Sequence, residues 1–315
     1  MTTPIELSLI ICVYNEEDNI QPFLDRVLPI LNQCVKSYEL VFVDDGSRDK
    51  TLENLITLAK TNPNISVIKL SRNFGKDKAM TAGLDLARGQ AIIPIDVDLQ
   101  DPPEIIPEMI SAWHAGNDMV VGIRSSRNDE SWLKRKSADL FYRFINHISN
   151  IPIPANAGDY RLLSRRVVDI IRQMPERMRF MKGLFAYAGF KTTYISYQRP
   201  GRTIGTTKWN FWKLWNFALD GIFGFSTTPL RIWSYIGALT SVGALLYMLY
   251  TLIRTLIFGI DVPGYASLLI FILFFNSLLM ISIGILGEYI GRIFDEVKGR
   301  PIYIIDKVYG NLEKD

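Results

Sequence analysis

Residues 90–104 read QAIIPIDVDLQDPPE, an apolar run that ends in closely spaced acids and continues into Pro-Pro-Glu. The apolar part lacks the alternating polarity of a half-exposed strand, so it predicts a strand buried on both faces of a parallel sheet. Asp96 and Asp98 come at the end of this strand, where an unpaired charge is costly. The function of the protein depends on what these two carboxylates face.

The order strand, acids, helix recurs through the first half of the chain. Strand-like runs occupy residues 7–13, 39–45, 65–70, 90–96 and 118–123. Helical patterns follow at residues 18–35, 47–60, 75–87 and 102–115. This alternation predicts an α/β fold, with a mostly parallel sheet and helices on both faces. Ligands of such sheets bind beyond the carboxyl ends of the strands.

Three acidic clusters come at those carboxyl ends: YNEED at 14–18, DDGSRD at 44–49 and DVDLQD at 96–101. The sequence contains neither G-x-G-x-x-G nor G-x-x-x-x-G-K-[ST], so carboxylates rather than a glycine loop meet the ligand. Acids repel a phosphorylated ligand unless a divalent cation lies between them. Hard oxygen donors of this kind suit Mg²⁺ or Mn²⁺.

The spacing of Asp96 and Asp98 fits a shared ion. In a strand, residues i and i+2 project to the same side, so both carboxylates can address one cation. Two surface acids in a turn remain an alternative, because so short a pattern recurs by chance. Asp101 precedes two prolines and has Glu104 three positions on, an arrangement that favours a helix cap over a direct ligand.

Two uncharged segments, residues 232–253 and 262–287, follow the α/β part. Each is long enough to cross a hydrocarbon core of roughly 30 Å as a helix. The N-terminus lacks the features of a signal peptide. A net charge of +3 with 48% hydrophobic residues excludes a disordered chain and gives no expectation of a nucleic-acid partner. The chain is thus predicted to be a soluble-type domain followed by a multi-pass, two-helix membrane anchor.

Basic residues flank the two spans and set the expected orientation. Lys and Arg precede the first span and follow the second, which places both termini and the large domain in the cytoplasm. Cys12 and Cys34 are then expected to be reduced thiols. Residues 209–226 combine aromatic side chains with a narrow polar stripe, which favours a helix in the membrane interface, with a buried helix as the alternative. The predicted parts are a cytoplasmic catalytic domain at 1–205, an interfacial helix at 206–230, the membrane anchor at 231–290 and a C-terminal tail at 291–315.

Six spaced segments, CVYNEE, VDDGSRDKT, SRNFGK, DVDLQDPPE, GDYRLLSR and GTTKW, occur in this order before the two spans. Together they resemble the polyprenyl-phosphate glycosyltransferases of glycosyltransferase family 2. The resemblance implies a GT-A fold and inverting transfer of a hexose, glucose from UDP-glucose, to undecaprenyl phosphate. It also implies a bacterial inner membrane, a homotetramer, and a downstream flippase and second glycosyltransferase that serve O-antigen-type modification.

The resemblance also assigns roles to individual residues. The residues expected to bind the nucleotide sugar are Tyr14, Glu16, Asp44, Asp96, Gln100, Arg202 and Lys208. Those expected near the metal, Mg²⁺ or Mn²⁺, are Asp96, Asp98 and Gln100. Those expected at the acceptor phosphate are Arg124, Lys134 and Ser137. Asp98 and Asp159 are the expected catalytic residues, with the role of Asp159 as base or orienting group left open. Cys12 and Val97 depart from the usual proline and alanine without removing a charged group.

Three other functions stay open at this point. The same reaction with mannose, N-acetylglucosamine or aminoarabinose uses the same motifs. A processive polysaccharide synthase shares the fold, but its Q-x-x-R-W motif is absent from the sequence. A transporter or scaffold with a retained sugar-binding domain would show no turnover with any donor.

Overall fold

The computed structural model describes residues 4–124, 157–198, 228–259 and 264–312. The described residues divide into two compact units. The first contains residues 4–124, 157–198 and 301–312, and the second contains residues 228–259 and 264–300.

The first unit alternates strands and helices. Its strands are β1 Leu7–Val13, β2 Tyr38–Asp44, β3 Ile65–Leu70, β4 Ala91–Pro94, β5 Met119–Arg124, β6 Ala157–Ser164, β7 Thr192–Tyr197 and β8 Ile305–Tyr309. Its helices are α1 Ile20–Cys34, α2 Thr51–Thr61, α3 Lys76–Leu86, α4 Ile106–His114, α5 Arg165–Gln173 and α6 Met181–Ala188, with a 3₁₀ turn at Pro103–Ile105.

The strands form one eight-stranded sheet in the order β7-β5-β6-β4-β1-β2-β3-β8. The central strands β4, β1, β2 and β3 are parallel, and so are β5 and β7. β6 and β8 run antiparallel to their neighbours. The predicted mostly parallel, GT-A-like α/β fold is thereby confirmed. The register pairs Val13 with Asp44, so the loops after β1 and β2 leave the sheet side by side.

Burial on both faces explains why the central strands read as unbroken apolar runs. Leu7, Leu9 and Ile11 of β1 are fully buried, as is Leu40 of β2. Helix α1 covers one face with a stripe at helical spacing, formed by Ile20, Phe23, Leu24, Val27 and Leu31. Burying each such side chain contributes about 1.5–3 kcal/mol. The core therefore fixes the strand ends from which the functional loops emerge.

The C-terminal segment joins the same sheet. β8 lies antiparallel to β3, with Ile68 opposite Val308, and the backbone N–H of Ser71 donates to the carbonyl of Ile304 at 2.9 Å. The Tyr303 hydroxyl donates to Asp85 at 2.7 Å. The segment predicted only as a tail thus supplies an edge strand of the sheet.

The second unit consists of two long apolar helices, α7 Thr228–Phe258 and α8 Tyr265–Val297. By length and composition, Ile232–Phe258 and Phe271–Val297 could each cross a membrane. The Trp233 indole donates a hydrogen bond to the Ser282 hydroxyl. The rings of Tyr247 and Phe271 pack 5.3 Å apart. The hairpin therefore agrees with the predicted two-helix anchor, whereas the predicted interfacial helix at 209–226 lies outside the described residues.

Candidate active site

Hydrogen bonds join the loops that follow β1 and β2. Asn15 donates its backbone N–H to the Ser47 hydroxyl at 3.0 Å, and its side-chain oxygen accepts from the N–H of Arg48 at 2.8 Å. The N–H of Glu16 donates to the Thr51 hydroxyl at 2.9 Å. The predicted nucleotide-binding residues Tyr14 and Glu16 therefore lie on a cross-braced pair of loops at the carboxyl edge of the sheet.

Asp44, the last residue of β2, has an incompletely satisfied carboxylate. The residue is fully buried, and its Oδ1 accepts the backbone N–H of Ser47 at 3.3 Å. Among the described residues its buried Oδ2 meets no hydrogen-bond donor. Burial raises the pKa of this carboxyl. A buried acceptor without a donor costs about 1–3 kcal/mol, so a ligand N–H placed here would relieve a specific penalty.

Asp45, the next residue, organises the loop that leads into α3. Its two carboxylate oxygens accept the backbone N–H groups of Phe74, at 2.7 Å, and Gly75, at 2.9 Å. Gly75 has φ +98°, a conformation that disfavours other residues. The sequence prediction assigned no role to Asp45. Its structural role is to fix the backbone immediately before Lys76.

Lys76 is the central cation of a cleft that we call the acid cleft, lined by Cys12, Lys76, Asp96, Asp101 and Asp159 together with apolar side chains. The Lys76 ammonium lies 2.7 and 2.8 Å from the two carboxylate oxygens of Asp96 and 3.3 Å from Oδ2 of Asp159. Burial alone would lower the pKa of Lys76, but Asp96 and Asp159 raise it well above its usual value. The sequence prediction missed this lysine, although it belongs to the quoted segment SRNFGK.

The strand geometry predicted for Asp96 and Asp98 is wrong. β4 ends at Pro94, and the chain then turns, with Leu99 at φ +56°. Gln100 donates its backbone N–H to Asp98 Oδ1 at 3.2 Å and its side-chain amide to Oδ2 at 2.7 Å. Asp98 therefore stabilises the turn, and the pleat of a strand does not position the two acids.

The donor set fits a divalent cation only in part. No group of three His, Cys, Asp or Glu side chains able to hold a metal occurs within the described ranges. Asp96 nevertheless already pairs with a cation, at a side-chain exposure of 34%. Mg²⁺ commonly binds one or two carboxylates and completes its shell with waters and substrate phosphates. Asp96 and Asp98 supply carboxylate oxygens of the kind that such an ion prefers.

Asp159 enters the acid cleft from β6, between β4 and β5. Burial would raise the pKa of its carboxyl, but Lys76, Lys182 and Arg161 hold that pKa below its usual value. Arg161 is itself fixed by a 2.7 Å bond to the carbonyl of Gly158 and by the ring of Phe185. An aspartate with a lowered pKa is a weak base, which favours an electrostatic or orienting role over proton abstraction.

Asp101 is not the helix cap that the sequence predicted. Its buried carboxylate accepts the Tyr197 hydroxyl at 2.7 Å, and the turn that begins at Pro103 has no side-chain cap. Burial and the nearby Asp96 raise the pKa of Asp101, whereas Arg124 opposes the rise. Arg124, at the end of β5, thus lies beside this pair. The other predicted phosphate-binding residues, Lys134, Ser137, Arg202 and Lys208, lie outside the described residues.

A second cavity opens at the amino ends of the strands, beside Glu39 and Arg88. The buried Glu39 carboxylate accepts from the Ser8 hydroxyl at 2.6 Å and from Arg88 Nη2 at 2.9 Å. The fold uses Glu39 and Arg88 as a charged pair, so the acid cleft is the better candidate for chemistry.

Comparisons with known proteins cover both units of the chain. Residues 8–171 match the family described as Glycosyl transferase family 2, and residues 228–293 match the GtrB C-terminal hairpin. An uncharacterized glycosyltransferase of Synechocystis sp. is 50% identical over 306 residues, 97% of this chain and 96% of its own. A prophage bactoprenol glucosyl transferase homolog of Escherichia coli K12 is 50% identical, over 96% of this chain and 99% of its own. A prophage-derived bactoprenol glucosyl transferase of Shigella flexneri is 48% identical, over 96% and 98%.

The first match spans the loops after β1, β2 and β4 and the β6 strand that carries Asp159, so it includes the acid cleft. The second spans the apolar helix pair. The chain therefore belongs to glycosyl transferase family 2 and is a glycosyltransferase that carries a GtrB-type helical hairpin at residues 228–293.

Proposed function

We propose that the protein transfers glucose from UDP-glucose to undecaprenyl phosphate, with inversion at the anomeric carbon, on the cytoplasmic face of a bacterial inner membrane. The observation that carries the proposal is the near full-length similarity to proteins named bactoprenol glucosyl transferase, because it includes the acid cleft and the hairpin together. An apolar hairpin in the same chain as a glycosyltransferase domain suits an acceptor that is itself a membrane lipid.

The acceptor chemistry fits the weak basicity of Asp159. A phosphate monoester has its second pKa near 6 and is anionic at neutral pH, so its oxygen can attack the anomeric carbon without a strong base. That oxygen forms the new bond as the bond to the UDP leaving group breaks. Asp159, kept ionised by Lys76, Lys182 and Arg161, then stabilises and orients cationic groups around the reacting atoms.

The donor and acceptor are assigned to different parts of the site. The unsatisfied Oδ2 of Asp44 takes an N–H of the nucleobase, with Tyr14 and Glu16 beside it. Asp96, Asp98 and Gln100 would hold Mg²⁺ or Mn²⁺, which would neutralise charge on the diphosphate leaving group. Arg124 binds the acceptor phosphate. The proposed roles of Lys134 and Ser137 at the acceptor, and of Arg202 and Lys208 at the donor phosphates, complete the assignment.

The proposed product carries its sugar on the cytoplasmic side of the membrane. Two spans in each chain make a poor path for a sugar, so a separate flippase must move the product across the bilayer. A second glycosyltransferase would then consume the lipid-linked glucose in O-antigen-type modification. The proposed assembly is a homotetramer, which cross-linking or light scattering of the purified protein would test.

The test uses the purified full-length chain in nanodiscs with undecaprenyl phosphate and a panel of labelled nucleotide sugars. We expect lipid-linked product with UDP-glucose, dependent on a divalent cation, and a loss of about 100-fold or more in Asp98→Asn. Asp25→Asn is the matched control, because Asp25 is exposed on α1 and, within the described part of the chain, accepts a hydrogen bond from its helix neighbour Gln21.

Three results would overturn the proposal. Full activity in Asp98→Asn contradicts the proposed metal site. If the protein prefers another labelled nucleotide sugar, that sugar and not glucose is transferred. Absence of turnover with every donor, in protein that is folded, supports a scaffold rather than an enzyme.

A further inference from the structure

Lys76 holds two carboxylates that come from different strands. Its ammonium contacts both oxygens of Asp96, which follows β4, and Oδ2 of Asp159, which lies on β6. The three side chains remain partly open to solvent, with exposures of 43%, 34% and 24% for Lys76, Asp96 and Asp159. The ammonium therefore sits where ions from solution can reach the same carboxylates.

The requirements of the fold do not explain a lysine at this position. Lys76 is the first residue of α3, and a positive charge at a helix N-terminus opposes the helix dipole. Ion pairs that are this exposed contribute little to stability. The backbone before the helix is already fixed by Asp45 through the N–H groups of Phe74 and Gly75. The charge of Lys76 is therefore better explained by the acid cleft than by the helix.

The acid cleft carries more negative than positive side chains, so it would repel a diphosphate. Asp96, Asp101 and Asp159 line the cleft, with Lys76 as the cation among its lining residues. A divalent cation bound by Asp96 would compete with the ammonium for the same two oxygens. The lysine side chain has a flexible four-carbon stem, so the displaced ammonium can turn toward a new anion without moving the helix.

We propose that Lys76 is an exchangeable counter-cation. It neutralises Asp96 and Asp159 until a divalent cation takes over Asp96, and the released ammonium then pairs with the diphosphate of the nucleotide sugar. This inference rests on the proposed function, because it takes a nucleotide diphosphate as the ligand. The exchange makes Lys76 a competitor of the metal in the ligand-free protein and a partner of the diphosphate once the metal is bound.

Replacing Lys76 by methionine separates these two roles, because it should raise the affinity for Mn²⁺ and lower the affinity for UDP. In Lys76→Met without nucleotide, Mn²⁺ loses its competitor and should bind roughly three- to tenfold more tightly. At saturating Mn²⁺, the affinity for UDP should fall about tenfold, because one charge-assisted contact to the diphosphate is lost. Lys76→Arg keeps the charge and should recover most of the UDP affinity.

Both constants can be measured on the full chain in detergent. Free Mn²⁺ is counted by electron paramagnetic resonance during titration of protein stripped of divalent ions, and UDP binding is measured by calorimetry at saturating Mn²⁺. Lys78→Met, two residues along the same helix, is the control and should leave both constants within twofold of wild type. Thermal unfolding of each variant confirms that it is folded.

A purely structural role for Lys76 would weaken Mn²⁺ and UDP binding together, and that result overturns the proposal. So does an unchanged Mn²⁺ affinity in folded Lys76→Met, even when the wild type makes lipid-linked glucose as proposed. Opposite shifts in the two affinities support the exchange. If those shifts occur but the wild type makes no lipid-linked sugar, the exchange stands and the proposed function fails.

Discussion

Replacing Asp45 by asparagine should loosen the loop before Lys76 by an amount that the structure allows to be estimated. The Asp45 side chain is buried, and its two oxygens accept from Phe74 and Gly75. Asparagine keeps one acceptor oxygen and turns an NH₂ group toward the other N–H. One hydrogen bond to a charged group, worth about 1.5–3 kcal/mol, is lost. Burial raises the pKa of Asp45, so removing the charge recovers part of that loss. We expect a net cost of about 2 kcal/mol.

Amide hydrogen exchange measures this change at the backbone groups concerned. A local cost of about 2 kcal/mol corresponds to roughly 30-fold faster exchange of the Phe74 and Gly75 amides, because each 1.4 kcal/mol is a factor of ten. Peptides that span residues 72–76 report it by mass spectrometry. Because Gly75 precedes Lys76, UDP affinity at saturating Mn²⁺ should also fall severalfold.

Asp25→Asn provides the comparison for Asp45→Asn. It makes the same chemical change on α1, at an exposed side chain that accepts from Gln21 at 2.7 Å. Its exchange at residues 72–76 should match wild type. If Asp45→Asn also exchanges within threefold of wild type at these amides, the two hydrogen bonds to Asp45 do not hold the loop.

Two further predictions concern titration and burial near the acid cleft. Burial, and secondarily Asp159, raise the pKa of Asp77 to about 7. The native state therefore binds this proton more tightly than the unfolded chain does, and the stability of the protein falls as the pH rises from about 4 to 7. Asp77→Asn should therefore gain stability relative to wild type across that window, by at most about 4 kcal/mol. A constant difference between the melting temperatures of the two proteins from pH 4 to 8 would refute this. Tyr197→Phe removes the hydroxyl that donates to buried Asp101 and should cost about 1–3 kcal/mol in chemical denaturation, whereas an unchanged midpoint would show that the bond is dispensable.

The central sheet could be predicted from the sequence because its strands are buried on both faces. The bounds of β1 and β3 agree with the predicted runs at 7–13 and 65–70, since apolar residues stop where turn residues begin. The predicted helix at 18–35 forms over Ile20–Cys34. In this region the local sequence pattern and the burial in the folded protein favour the same secondary structure, so the pattern alone predicts the strands and the helix.

The flanking strands could not be predicted in the same way. β8 is short and has no buried residue, with exposed Asp306 and Lys307 near its middle, and its strand character comes from pairing with β3. β6 lies between β4 and β5, out of chain order. Such positions are decided by partners far along the sequence. Asp159, on β6, was accordingly predicted only through the family resemblance.

Lys76 illustrates the same limit within the site. In the sequence it stands among Asp77 and Lys78 at the start of a helical pattern, which is typical of a solvated helix face. Its partner Asp96 lies 20 residues away, across a helix and a strand. Only the fold brings the ammonium and the carboxylates together, so the interaction that organises the cleft leaves no local signal.

The strained turn at Leu99 decides which substitution tests the metal site cleanly. Within the described residues, Asn15 and Leu99 are the non-glycine residues with positive φ, at 53° and 56°, and both lie at the carboxyl edge of the sheet. Such conformations cost of order 1–3 kcal/mol and need support from their surroundings. Asp98 supplies it for Leu99 by accepting two hydrogen bonds from Gln100. Alanine at position 98 would release the turn and remove the charge together. Asparagine keeps an acceptor for Gln100, so the loss of activity expected in Asp98→Asn reports the missing charge rather than a collapsed turn.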